Sequence, residues 1–184
     1  LRTEAQSYTN ANLIISRCGE GISRIIKTAV KLSENEIRDL FLAAANSHTN
    51  YIIDAEVKNR VGHTDLKFSD TKLLTSFIYE FKIHSESSDI KRGLDQITKQ
   101  YVTVSNKFNG LVFVNVDKKN LADIMQDILN ALENYRSELK IIGNPTLLKD
   151  ENKIILKHHH NNDRNTICKL TIFIIDIQND NEQK

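Results

Sequence analysis

Asp65, Glu80 and Lys82 are the residues whose types and spacing could do chemistry. Two carboxylates held side by side repel each other unless a cation offsets their charge, and Mg²⁺ is commonly bound by one or two carboxylates together with phosphate oxygens and water. Asp65 and Glu80 are therefore read as ligands of Mg²⁺ or Mn²⁺, with the backbone carbonyl of Phe81 completing the protein's share of the shell. The Lys82 ammonium would face the attacking water, orient it and stabilise the negative charge that develops on a phosphoryl group. On its own the triplet Glu80, Phe81, Lys82 carries little weight, because charged residues two apart usually mark the solvated face of a strand.

The strand that bears it adds the weight. From Thr75 to His84, Phe77, Tyr79, Phe81 and Ile83 alternate with Ile78, Glu80, Lys82 and His84, so a period of two puts the bulky residues on one face and the charged pair on the other. Tyr51 to Val57 and Thr64 to Phe68 read as two preceding strands joined by short polar turns, an antiparallel meander that can bring Asp65 beside Glu80. Before the meander, apolar residues from Ala11 to Leu32 recur at helical spacing, and Ser33 to Glu36 form a capping box. The box opens a second helix with the stripe Ile37, Leu40, Phe41 and Ala44.

After the meander come a helix from about Asp89 to Val104 and a compact apolar strand, Leu111 to Val116. Leu121 to Leu139 is a further amphipathic helix, Gly143 and Pro145 break the chain, and Ile154 to Leu156 with Thr166 to Ile177 suggest a terminal hairpin. The expectation is one α/β domain over residues 1–184. Its core is 33–116 (helix, three-strand meander, helix, strand), flanked by an N-terminal helix (11–32) and by a C-terminal helix and hairpin (121–177).

The stretches AEVKNRVGHTDLKF, FIYEFKIHSESSDIKRGLDQITKQYV and GLVFVNV resemble restriction-endonuclease-like domains of the PD-(D/E)xK nuclease superfamily, whose core has this order of elements. The resemblance implies that Asp65 is the motif aspartate, that Glu80 and Lys82 are the (D/E)xK pair, and that Gln96 is the glutamine of the following helix. Gly62, Thr64 and Asp65 resemble the G-x-T-D form of some members. The motif proline is absent, since Thr64 precedes Asp65, and Tyr101 follows Gln96 at five residues where an exonuclease-type motif has tyrosine at four. Many members carry a further acidic residue ahead of the aspartate. Glu56 and Glu36 are the candidates, with Glu56 favoured because Ile53, Ala55 and Val57 would leave it on the face opposite the core.

Composition sets the outer bounds. No apolar run approaches the roughly 20 residues needed to span a bilayer, and the opening LRTEAQSYTN has no signal-peptide core. Cys18 and Cys168 are too few for a disulfide framework, which makes the cytoplasm the default location. A net charge of +1 gives no global pull on a polyanion, so contact with nucleic acid must be local. Lys91, Arg92 and Lys99 read as a solvated helix face, with contact to phosphates as the alternative, and His158 to His160 as a run that alternates in direction and cannot converge on one zinc.

The expected activity is metal-dependent endonucleolytic hydrolysis of DNA, in restriction, anti-phage defence or repair. The expected partners are DNA and other domains or subunits of a larger assembly, with a homo-oligomer left open and no membrane. The chain begins at Leu1 and reads as part of a larger protein. Its rivals are a catalytically inactive nucleic-acid or protein binding module of the same fold, and an RNA-directed nuclease.

Overall fold

The computed structural model describes residues 3–26, 32–47, 51–59, 62–84, 86–101, 106–116, 119–160 and 162–177. Helix α1 spans Glu4–Ile25 and begins earlier than the apolar pattern indicates, because Thr3 and Gln6 cap it reciprocally: the Thr3 hydroxyl accepts the Gln6 N–H, and the Gln6 carboxamide accepts the Thr3 N–H. Its buried stripe is Tyr8, Ala11, Ile15, Cys18 and Ile22, whereas Leu13 and Ile25 are exposed. The expected continuation toward Leu32 crosses residues 27–31, which lie outside the described residues.

Helix α2, Glu34–Asn46, starts on the expected capping box at Ser33 and Glu36. It buries Ile37, Phe41 and Ala45, which leaves Leu40 turned outward rather than in the stripe.

Strands β1 (Ile52–Asn59), β2 (Gly62–Asp70) and β3 (Thr75–Ile83) form the antiparallel meander. Helix α3 (Ser87–Asp95) runs into a π-helical turn, Gln96–Tyr101, and leads to β4 (Phe108–Asn115), which pairs parallel with β3. After α4 (Leu121–Asn134) come β5 (Ile141–Leu148), β6 (Lys153–His160) and β7 (Asp163–Asp176), so the C-terminal part is a helix and three strands rather than a helix and a hairpin.

Strand β5 occupies the stretch where Gly143 and Pro145 were expected to break the chain. It is an edge strand whose register with β6 shifts between Ile142 and Thr146, and the irregularity accommodates both the proline and the positive φ of Gly143. The seven strands lie in one open sheet of order β1-β2-β3-β4-β7-β6-β5, with β7 parallel to β4.

Helices cover both faces. One core joins α1 and α2 to Phe68, Phe77, Tyr79, Phe81, Val112 and Val114; the other joins α3 and α4 to Ile78, Leu111, Phe113, Leu170, Ile172 and Ile174. The central strands are therefore buried on both sides, which explains why β4 reads as a continuous apolar run instead of an alternation. Burial on both sides also takes Glu80 and Lys82 out of water. No helix among the described residues is long and apolar enough to cross a membrane.

Candidate functional site

β2 and β3 pair from Asp70 and Thr75 as far as Leu66 and Tyr79. Past that point the edge of β3 is met by side chains: Asp65 Oδ2 accepts the Phe81 N–H at 2.7 Å, and Glu34 Oε1 accepts the Ile83 N–H at 3.2 Å. Odd-numbered residues of β3 direct their backbone groups toward β2, while even-numbered ones serve β4, as His84 does by donating its N–H to Val114. Two carboxylates thus replace a strand's carbonyls where the pairing of β2 with β3 stops.

On the face of β3 toward α3, Lys82 Nζ donates to Glu80 Oε1 at 2.9 Å and to the Phe81 carbonyl at 2.8 Å, with Glu34 Oε2 at 3.5 Å. Glu80 is 3 % exposed and Lys82 5 %. Gly93 favours this burial, since a Cβ there would lie 2.9 Å from Leu111 Cδ1 and 3.3 Å from Lys82 Cγ. A side chain there would press on Leu111 and on the lysine's stem. Glu34, about one-third exposed, and the partly buried Asp65 open the site to solvent on the β2 side.

The electrostatics follow from this packing. Burial pushes the Glu80 carboxyl up to about 7, the neighbouring Asp65 charge pushes the same way, and Lys82 opposes both. Asp65 is raised as well, chiefly by burial, against the pull of the Phe81 N–H and of the Lys82 and Arg38 charges. Burial works against the Lys82 charge, but the carboxylates of Glu80, Glu34 and Asp65 outweigh it and hold the ammonium above its ordinary pKa. Glu80 Oε2 is buried without a hydrogen-bond partner among the described residues.

Such an atom costs on the order of 1–3 kcal/mol unless something meets it, and more when it is charged. A divalent cation suits it, so Asp65, Glu80 and the Phe81 carbonyl fit the expected ligand set. Among the described residues no group of three or more His, Cys, Asp or Glu is arranged to hold a metal.

The structure brings Asp65, Glu80, Phe81 and Lys82 together and adds Glu34, which in the sequence stands only within the capping-box stretch Ser33 to Glu36. The side chain of Glu36, one of the two acidic candidates, is spent on the α2 cap, where it accepts the Ser33 N–H and hydroxyl at 2.8 and 2.7 Å. Glu56, the favoured one, lies on β1 between Ala55 and Val57, which pair with Leu66 and Thr64, so it stands across from Asp65 in register; its side chain lies outside the described residues.

Gln96 heads the π-helical turn and lines a groove between α3 and α4, its Oε1 buried without a partner among the described residues. The Tyr101 side chain lies outside the described residues. The histidine run splits as its alternation requires, with His158 and His160 on the buried face of β6 and His159 between them only partly buried.

A family model described as a domain of unknown function (DUF8371) matches residues 19–120, a segment that contains Glu34, Asp65, Glu80, Phe81 and Lys82. No curated protein matches the chain, and no solved structure does.

Proposed function

We propose that this chain, which belongs to the DUF8371 family, is a metal-dependent nuclease of PD-(D/E)xK type that hydrolyses phosphodiesters in DNA. The observation that carries the reading is the pair of the buried Glu80 and the partly buried Asp65, both shifted upward, with the Lys82 ammonium 2.9 Å from Glu80 on the same strand. The order α2, β1, β2, β3, α3, β4 over residues 34–115 is the order that the superfamily resemblance calls for, and it supports a restriction-endonuclease-like core.

In this reading Mg²⁺ or Mn²⁺ would be held by Asp65, Glu80 and the Phe81 carbonyl, and would supply Lewis-acid polarisation of the scissile phosphodiester. The chain's own residues do the rest. Asp65 is fixed by the Phe81 N–H. Lys82 holds a positive charge in a poorly hydrated place, where it stabilises developing negative charge more strongly than it would in water. Glu34 positions the strand edge through Ile83 and tethers the Lys82 ammonium, so it acts as a positioning residue. Restriction, anti-phage defence or repair is the setting that suits such an activity, in the cytoplasm and within a larger assembly.

The test is turnover of linear, circular and single-stranded DNA and of RNA at low salt with Mg²⁺ or Mn²⁺. DNA cleavage that vanishes in EDTA is expected, and cleavage of RNA alone would move the substrate to RNA. A second reading, a non-catalytic module, is favoured by the closure of Lys82 onto both Glu80 Oε1 and the Phe81 carbonyl, which occupies two candidate ligand atoms. A folded sample that cleaves nothing on this panel would favour that module.

A further inference from the structure

We propose that the groove between α3 and α4 receives an unpaired stretch of the nucleic-acid substrate, with Arg92 taking the phosphate next to the cleavage site and Tyr135 stacking a base. The inference rests on the nuclease reading above and specifies its substrate. The groove, about 700 Å³, has the size that takes a small ligand such as one or two nucleotides.

Arg92 joins the groove to the site. It lines the groove, and its guanidinium is 3.6 Å from Glu34, whose other carboxylate oxygen is 3.5 Å from Lys82. Asp89 holds it at 3.0 Å, while 58 % exposure leaves N–H donors turned to solvent. A planar guanidinium fixed on one side and open on the other suits a phosphodiester.

Deeper in, the lining changes character. Lys91 is committed to Asp95 at 2.6 Å, and Asp95 and Asp127 balance the two cations, so the groove offers little net charge for further phosphates. It offers instead an aromatic ring and amides. The Tyr135 ring is half-buried against the α3–α4 core and carries Lys91 Nζ 5.0 Å from its centroid, so a base that displaces that ammonium finds an aromatic platform; Asn134 lines the groove, and so does Asn130, whose Oδ1 accepts from Gln126. The Gln96 Oε1 acceptor has no partner among the described residues, and a nucleobase amino or imino group would supply one. Amino groups are also exposed in the grooves of a duplex, but an imino edge, and a base face that can lie on the Tyr135 ring, are available only where the strand is unpaired.

The experiment uses the whole chain in EDTA, with fluorescein-labelled single-stranded DNA and a hairpin duplex of equal length, and with a strand carrying one 2-aminopurine. The expected result is tighter binding of the single strand, quenched 2-aminopurine fluorescence, and affinity for the strand weakened roughly five- to hundredfold by Tyr135→Ala, with Tyr135→Phe restoring it. Arg92→Ala should weaken strand binding and flatten its salt dependence by about one unit. Duplex binding should stay within a small factor in both variants.

Variants that melt as the parent does and bind the strand unchanged would overturn the groove, as would equal affinity of the parent for strand and duplex. These outcomes leave metal-dependent cleavage untouched. Conversely, strand binding through Tyr135 without cleavage of any substrate would overturn the nuclease reading and leave the groove standing.

Discussion

Asp65 accepts the backbone N–H of Phe81 at 2.7 Å, so the carboxylate offered as a metal ligand also completes the hydrogen bonding of the central strand. The two roles separate by substitution. Asp65→Ala orphans the Phe81 N–H and should destabilise the fold by about 1–3 kcal/mol, whereas Asp65→Asn keeps an oxygen acceptor and should cost much less. Both should abolish Mn²⁺ binding in calorimetry if the carboxylate charge is what the ion needs. Mn²⁺ bound undiminished by Asp65→Asn combined with Glu80→Gln would remove the proposed metal site.

Glu34 and Glu36, the first and third residues of α2, point to different sides of the helix start, and their substitutions should act oppositely. Glu36 caps: Glu36→Ala should lower stability by about 1 kcal/mol and leave cleavage unchanged. Glu34 serves the site: Glu34→Gln keeps an acceptor for the Ile83 N–H and should leave the melting temperature nearly unchanged, because the side chain is one-third exposed, yet lower the cleavage rate by removing the charge that tethers Lys82. Melting curves and single-turnover rates on the two variants would reveal whether these assignments are reversed.

The difference between these two glutamates also shows what the sequence could and could not convey. The β3 alternation placed Glu80 and Lys82 on one face and the aromatics on the other, and this is the arrangement observed, because period two is a local property of a strand. The capping box of α2 was legible for the same reason. That Glu34 reaches β3 was not, since it depends on how the start of α2 docks at the end of a strand far along the chain. Nor was β5, where Pro145 and Gly143 look like breakers and are tolerated because the strand is a bulged edge. The alternation likewise could not tell a solvated charged face from a buried one; the covering helix and Gly93 decide that.

Burial of Glu80 carries a pH signature. Its folded pKa, about 7, lies above the ordinary carboxylate value, so between roughly pH 4.5 and 7 the folded state binds more protons than the unfolded state, and stability falls as pH rises through that window. His84 and His158, both lowered by burial, act in the opposite sense up to their ordinary pKa. The informative quantity is therefore the difference between the metal-free parent and Glu80→Gln. The parent's stability relative to the variant should decline across that window and level off above it. A difference independent of pH in denaturant titrations would mean that Glu80 is not held in the way described.

The Lys82 ammonium is bound to Glu80 and the Phe81 carbonyl and buried beneath α3. If this charge stabilises the transition state, its removal should lower the single-turnover rate on the order of a hundredfold or more, while nucleic-acid affinity changes only modestly. The variant must also be judged for stability, because breaking a buried ion pair leaves Glu80 uncompensated and typically costs about 3–5 kcal/mol. Lys82→Met keeps the aliphatic stem against Gly93, and pairing it with Glu80→Gln removes the stranded charge. Lys82→Met alone should thus be the less stable protein, and both should be slow. A purely structural ion pair predicts otherwise: the double variant, whose stability recovers on either account, would cleave at the parent's rate, a result that would remove Lys82 and Glu80 from the chemistry together.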